Sequence, residues 1–225
     1  FVEIENFERA LLDFEQAIRI DNSNSEYHYN KGLCLSKLNR KDSALVSYNK
    51  AISINPVKTE YIFQRGYLNY ILDKYQEAIS DFDKTLKIDP KYISALNFRS
   101  KCFSMIKDTV NALKDLLNSY EIDNTNSQTL HFLGYEYYQQ DKFEKAIYYL
   151  TKCLEYDQAN KYVYFDRGRS YYYENLFQNA IDDYTTCIML DPDHPTPFYW
   201  RGLASLETYD YYAAISDFTR AIELD

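Results

Sequence analysis

Tyr61-Ile62-Phe63-Gln64-Arg65-Gly66, continued by Tyr75-Gln76-Glu77-Ala78-Ile79-Ser80-Asp81-Phe82 and closed by Ile88-Asp89-Pro90, is one unit of a pattern that fills the chain. Ala78 belongs to the series Ala10, Ala44, Ala78, Ala112, Ala146, Ala180 and Ala214, spaced at a constant interval of 34 residues. All five glycines, Gly32, Gly66, Gly134, Gly168 and Gly202, share one phase of that interval, and the small Ser100 takes the remaining place. A glycine inside a helix costs about 1 kcal/mol relative to alanine, so glycines confined to one phase imply that something approaches the backbone closely there. Twelve residues after each comes the alanine, and four later Tyr48, Phe82, Leu116, Leu150, Tyr184 or Phe218, on the same helical face. The pattern predicts a second helix packed as knob against the hole of the first.

Short polar breaks, such as Asn39-Arg40, Asp73-Lys74, Gln140-Asp141 and Glu174-Asn175, separate the glycine-bearing and alanine-bearing segments. The second segments end at Asn55-Pro56, Asp89-Pro90, Asp123-Asn124 and Asp191-Pro192, where proline cannot continue a helix. Pro195 and Pro197 bracket Thr196, which is placed to cap the last first-helix. The expected fold is all-α, a succession of helix-turn-helix units.

These units resemble tetratricopeptide repeats in period and in their Gly, Ala, aromatic and Pro positions, over essentially the whole chain. Departures are local: Ser100 replaces the glycine, Thr85, Ser119, Cys153 and Cys187 replace a small alanine, and Asn124 and Gln158 replace the proline. The resemblance implies helical hairpins stacked in a right-handed α-α superhelix, a solenoid. Residues 1–24 register as the end of one hairpin, followed by six units at 25–58, 59–92, 93–126, 127–160, 161–194 and 195–225, the last incomplete. Both ends fall mid-pattern, which implies a longer array, since repeat arrays ordinarily finish with polar capping elements.

With 46% hydrophobic and 26% charged residues in 225, the chain has the composition of a globular protein. No stretch approaches the roughly 18 apolar residues of a membrane helix, and the N-terminus lacks the pattern of a signal peptide. A net charge of -9 argues against nucleic acid as a partner, because that affinity comes from cations neutralising phosphates. The four cysteines sit in small-residue slots, Cys153 and Cys187 where Ala17, Ala51 and Ala221 stand in other units, which favours core packing and a reducing, cytoplasmic setting. There is no CxxC pair, and His28, His131 and His194 fall on unrelated phases, so zinc ligation and Cys-His nucleophilic catalysis lack their residues. No phosphate-binding loop, GxSxG or HExxH occurs. No catalytic residue, metal site or cofactor is expected.

A basic residue precedes the glycine phase as Lys31, Arg65, Arg99, Arg167 and Arg201, with Leu133 the exception. Sixteen residues on, where an antiparallel second helix comes alongside, stand Asp81, Asp115, Asp183 and Asp217 opposite the arginines, but Tyr149 opposite Leu133 and Ser47 opposite Lys31. The joint swap predicts ion pairs within each hairpin.

In the family that the units resemble, the first helices line a concave groove through recurring phases. Carried onto this sequence, those phases give Tyr29 and Leu33; Phe63, Tyr67 and Tyr70; Asn97, Lys101 and Met105; His131, Tyr135 and Tyr138; Tyr162, Phe165, Arg169, Tyr172 and Tyr173; and Tyr199 and Leu203. Tyrosine is abundant, 25 residues of 225, and supplies large contact area with few rotors and a polar tip. The aromatic positions have two readings, contact with a partner and packing between neighbouring repeats. The family's best-known ligand mode, a clamp for the C-terminal carboxylate of a chaperone, needs Lys then Asn four residues later. Asn97 and Lys101 carry the reverse order, and Phe132 stands where a further asparagine belongs, so that tail is not expected as a ligand.

The resemblance implies a non-catalytic protein-interaction scaffold whose groove receives a peptide segment or helix of a partner, within a large assembly. The alternative is the substrate-selecting repeat region of a larger enzyme such as a glycosyltransferase. Among the groove phases, Glu26, Glu60 and Glu207 mark the outer units, whereas the middle ones carry Asn97, Lys101, His131 and Arg169 and no acid, a mildly basic centre. An acidic or carboxylate-bearing peptide is therefore expected over residues 94–173, its backbone on Asn97 and its apolar groups against Tyr135, Phe165 and Tyr172.

Overall fold

The computed structural model describes the backbone of residues 2–225 and the side chains from Ile4 onward. Among the described residues there are thirteen helices and no strand. The first, α1, spans Val2–Ile20, and six hairpins follow: α2 Ser25–Lys37 with α3 Lys41–Ile54, α4 Thr59–Ile71 with α5 Tyr75–Ile88, α6 Ile93–Met105 with α7 Thr109–Ile122, α8 Ser127–Gln139 with α9 Phe143–Tyr156, α10 Lys161–Tyr173 with α11 Phe177–Leu190, and α12 Pro195–Glu207 with α13 Tyr211–Leu224. The chain resolves into two compact units, one reaching to Asp115 and one from Leu116 to Asp225.

Some of the helix starts are capped by polar side chains that satisfy otherwise orphaned backbone N–H groups. Asn24 accepts from the N–H of Glu26, Asn126 from that of Thr129 and Asn160 from that of Tyr162. At α12 the cap is His194, whose Nδ1 accepts from the N–H of Thr196, with Pro195 in the first turn. The expectation that Thr196 caps this helix is thus corrected: the chain enters the helical conformation at Pro195, two residues too early for Thr196 to serve.

Inside each hairpin one turn residue is left-handed, and these residues repeat at the chain's own period: Asn39, Asp73, Lys107, Asp141, Asn175 and Tyr209, with φ between 56° and 62°. Asn and Asp tolerate that region, whereas Lys107 and Tyr209 hold it at a cost of about 1 kcal/mol each. Replacing either by glycine should raise the melting temperature, the gain reaching about 1 kcal/mol. A melting temperature unchanged or lowered by both Lys107→Gly and Tyr209→Gly would contradict this.

The close approach implied by the glycines is present, but the group that makes it is the residue four beyond the alanine. A methyl group on Gly32 would stand 2.6 Å from Cε1 of Tyr48, and one on Gly168 would stand 2.8 Å from Cε1 of Tyr184. Leu150 fills the same seat over Gly134, with the Ala146 carbonyl beside it. The alanines, Ala44, Ala78, Ala112, Ala146, Ala180 and Ala214, are fully buried, as is each ring or leucine from Tyr48 to Tyr184 in that register.

The arginines clamp the hairpins as the spacing predicted. Arg65 grips Asp81 with Nε and Nη2 at 2.8 and 2.6 Å, Arg99 grips Asp115 at 2.7 and 2.7 Å, Arg167 grips Asp183 at 2.8 and 2.7 Å, and Arg201 grips Asp217 at 2.8 and 2.7 Å. Nη1 reaches sixteen residues backward to the previous hairpin: Asn49 for Arg65, Asp83 for Arg99, Thr151 for Arg167 and Thr185 for Arg201. Each arginine therefore fastens its own hairpin and ties it to the one before. Lys31, which has only Ser47 ahead of it, keeps the backward tie, to Glu15 of α1 at 2.9 Å. Burial works against the Arg99 and Arg167 charges, but the hydrogen bonds they donate to their aspartates outweigh it and hold both guanidinium groups above their usual range.

Candidate functional site

In the unit that ends at Asp115, the predicted groove residues are largely committed to one another. Tyr29 of α2 stacks on Tyr61 of α4 at 4.6 Å, and Phe98 of α6 lies among Phe63, Tyr67 and Tyr70 of α4, with ring centroids 6.3, 4.8 and 5.6 Å away. Phe63 is buried and belongs to the core cluster that holds Phe82. Tyr67, Tyr70 and Lys101 are half-buried. Asn97 has 0% exposure, so the expectation that it holds a peptide backbone is corrected: its side chain is buried and out of a partner's reach.

The acid on this face, Glu60, is also committed. Its Oε1 accepts from the Tyr29 hydroxyl at 3.1 Å and from Gln64 Nε2 at 2.8 Å, and its Oε2 accepts from the Tyr92 hydroxyl at 2.7 Å. One carboxylate thus joins α2, α4 and the start of α6. Burial alone would raise the Glu60 carboxyl, but the donors from Gln64, Tyr92 and Tyr29 outweigh it and hold the group below the usual carboxylate range. A depressed folded-state value means stability that is complete above the unfolded value of about 4.3 and is lost as pH falls through the folded one. Thermal melts of Glu60→Gln should therefore lie below those of the unaltered chain at neutral pH and converge with them in acid. Parallel curves from neutral pH to pH about 3 would contradict this.

In the unit from Leu116, His131 of α8 meets Asp166 of α10, Nε2 to Oδ2 at 2.8 Å. This corrects the expectation of an acid-free middle, because the Asp166 carboxylate, itself buried, faces the imidazole. Tyr138 is buried, while Tyr135 and Tyr172 are half-buried. Tyr172 packs against Trp200 of α12 at 5.6 Å and against Phe177 at 5.5 Å. Tyr162 and Tyr199 are open to solvent at 62% and 48% exposure.

Arg169 of α10 lies over the Tyr138 ring at 4.4 Å, with Trp200 at 5.4 Å and Phe165 at 5.8 Å. Burial pushes the Tyr138 phenol up to about 12, against the opposing pull of the Arg169 charge. Beside Phe165 is a cleft of about 300 Å³ that reaches from Tyr162 to Pro197.

Phe98 and Trp200 stand among these rings, in a phase that the groove phases do not contain. They share one phase with Gln64, Phe132 and Asp166, and the period of 34 applied to aromatic residues alone would have found them. The thiols carry no reactive signature. All four cysteines are free and buried, and burial pushes Cys102 and Cys153 up to about 12 and Cys187 to about 11.

Family profiles described as tetratricopeptide repeat match residues 25–56 and residues 59–92, 127–160 and 162–194, together more than half of the chain. Among solved structures, the Cut9-Hcn1 hetero-tetramer of the APC/C matches with a TM-score of 0.83 at 14% identity, over 97% of this chain and 43% of that one. A tetratricopeptide repeat protein from Parabacteroides merdae matches with a TM-score of 0.77 at 18% identity, over 100% of this chain and 89% of that one. YrrB, described as a TPR protein with an unusual peptide-binding site, matches with a TM-score of 0.63 at 18% identity, over 88% of this chain and 97% of that one. These likenesses show the fold, an all-α repeat superhelix. No curated protein sequence matches the chain.

Proposed function

This chain belongs to the tetratricopeptide repeat family, and from that premise we propose that it is a non-catalytic scaffold whose first-helix face receives a peptide segment or helix of a partner protein. Support comes from the unequal use of aromatic side chains. Rings that only join repeats are buried, as Phe63 and Tyr138 are, whereas Tyr162 and Tyr199 keep much of their surface in water at 62% and 48% exposure. Large rigid side chains left open in this way cost little entropy to dock against a partner. Charge adds a preference. In a chain of net charge -9, an arginine on that face with no internal counter-ion among the described residues favours an acidic partner.

The two open tyrosines allow a test that spares the fold. Affinity capture would be run with the unaltered chain and with the double variant Tyr162→Ser, Tyr199→Ser, and the captured proteins compared by mass spectrometry. A partner held by the first and lost from the second, with melting unchanged, is the expected result. An identical set of partners on both would place binding elsewhere and overturn this reading.

A further inference from the structure

Arg169 differs from the other arginines of its unit. Arg167 and Arg201 each grip an aspartate with two nitrogens, whereas no carboxylate among the described residues comes within ion-pair distance of Arg169. Its Nε is sealed from solvent without an acceptor. What surrounds it is aromatic: Tyr138, Trp200 and Phe165. A guanidinium stacked on rings uses its faces, and with Nε sealed it is the two Nη nitrogens that are left for a planar, two-oxygen acceptor. The nearest acid along α10, Asp166, is already bonded to His131.

About 6 Å back along the same helix, one turn at 1.5 Å per residue, the cleft begins. Its walls are Tyr162, Phe165, Cys187 and Pro197, and its rim carries the ion pair of Lys161 with Asp191 at 2.5 Å. The rim charges are mutually satisfied, so the cleft itself calls for an apolar filler of side-chain size. Alternate residues of an extended peptide are about 6 to 7 Å apart, which matches the offset between the cleft and the guanidinium.

We propose that α10 and the start of α12 bind an extended acidic peptide, in which an Asp, Glu or terminal carboxylate meets the edge of Arg169 while an apolar side chain two residues away fills the cleft between Tyr162, Phe165 and Pro197. The site rests on the peptide-binding reading above and gives that reading its ligand chemistry. A carboxylate there gains two charge-assisted hydrogen bonds in a setting where the rings exclude water on three sides.

The probe is a display library of random heptapeptides selected on the whole 225-residue chain. The unaltered chain should enrich peptides with an acid two positions from a large apolar residue. Arg169→Gln should weaken those peptides by about tenfold or more, the loss expected for a charged hydrogen-bonded contact. Tyr162→Ala, on the exposed rim, should remove the apolar preference and keep the acidic one. Because Arg169→Gln also loses its stacking, the acid is independently replaced by its amide in a selected peptide, and the same loss is expected against the unaltered protein. Peptides enriched without an acid, or bound equally after the amide replacement, would overturn the Arg169 site and leave peptide binding standing. Selection of no peptide at all would overturn both.

Discussion

The Asp183→Ala variant should lose about 3 kcal/mol of stability, because it leaves Arg167 without its two-handed partner beside a helix contact. Arg167 would retain its hydrogen bond to Thr151, which is too weak an acceptor to neutralise the charge. The chain itself supplies the compensating design. At the corresponding places in the hairpin of α8 and α9 stand Leu133 and Tyr149, so the double variant Arg167→Leu, Asp183→Tyr copies a pair that this architecture already accommodates. That double variant should return to within about 1 kcal/mol of the unaltered chain, since a buried ion pair and a well-packed apolar pair of similar volume are often nearly equivalent. Thermal and urea melts of the two variants and the unaltered chain decide it. A double variant no more stable than Asp183→Ala would mean that the two positions do not act as a unit.

Tyr48 should be dearer still. Its ring is almost fully buried over Gly32, and truncating it to alanine should cost about 3 to 5 kcal/mol, as for other large core aromatics. The instructive case is Gly32→Ala, whose effect should change sign with the background. On its own it should destabilise, because the added methyl meets the ring at 2.6 Å and overpacking outweighs the roughly 1 kcal/mol that alanine gains over glycine in a helix. In the Tyr48→Ala background the ring is gone, and the same substitution should stabilise. An equal effect of Gly32→Ala in both backgrounds would show that the glycine is not there for the ring.

The period of 34 made the hairpins readable because glycine, alanine and the knob residue each respond to a local steric requirement that recurs unchanged. The pairing of Arg65 with Asp81 was readable for the same reason, since both ends of the contact lie in one repeat. What escaped is what depends on two repeats at once. Nη1 of Arg65 on Asn49 has the same sixteen-residue spacing run backward, but asparagine, aspartate and threonine share that position and so hide the pattern. Asn97 illustrates the limit for the candidate site. Its phase is a groove phase in the family, yet the residue is fully buried, and a pattern read within one repeat does not encode which members of a phase are covered. Glu60 likewise looks like a surface acid until Tyr29 and Tyr92, from the hairpins on either side, are brought to it. The left-handed turn residues were visible only as polar breaks, because Lys107 and Tyr209 are residue types that sequence does not associate with that conformation.

Trp200 is the only tryptophan in the chain, and its ring lies 5.4 Å from the Arg169 guanidinium and within 5.6 Å of Tyr172. Light absorbed by the many tyrosines of that region will pass by resonance transfer to this one indole, so nearly all of the long-wavelength emission will originate beside Arg169. An acid that docks on the guanidinium alters the field across the indole, and the emission should shift without any attached dye. The protein carries its own optical probe at the place where its ligand is expected.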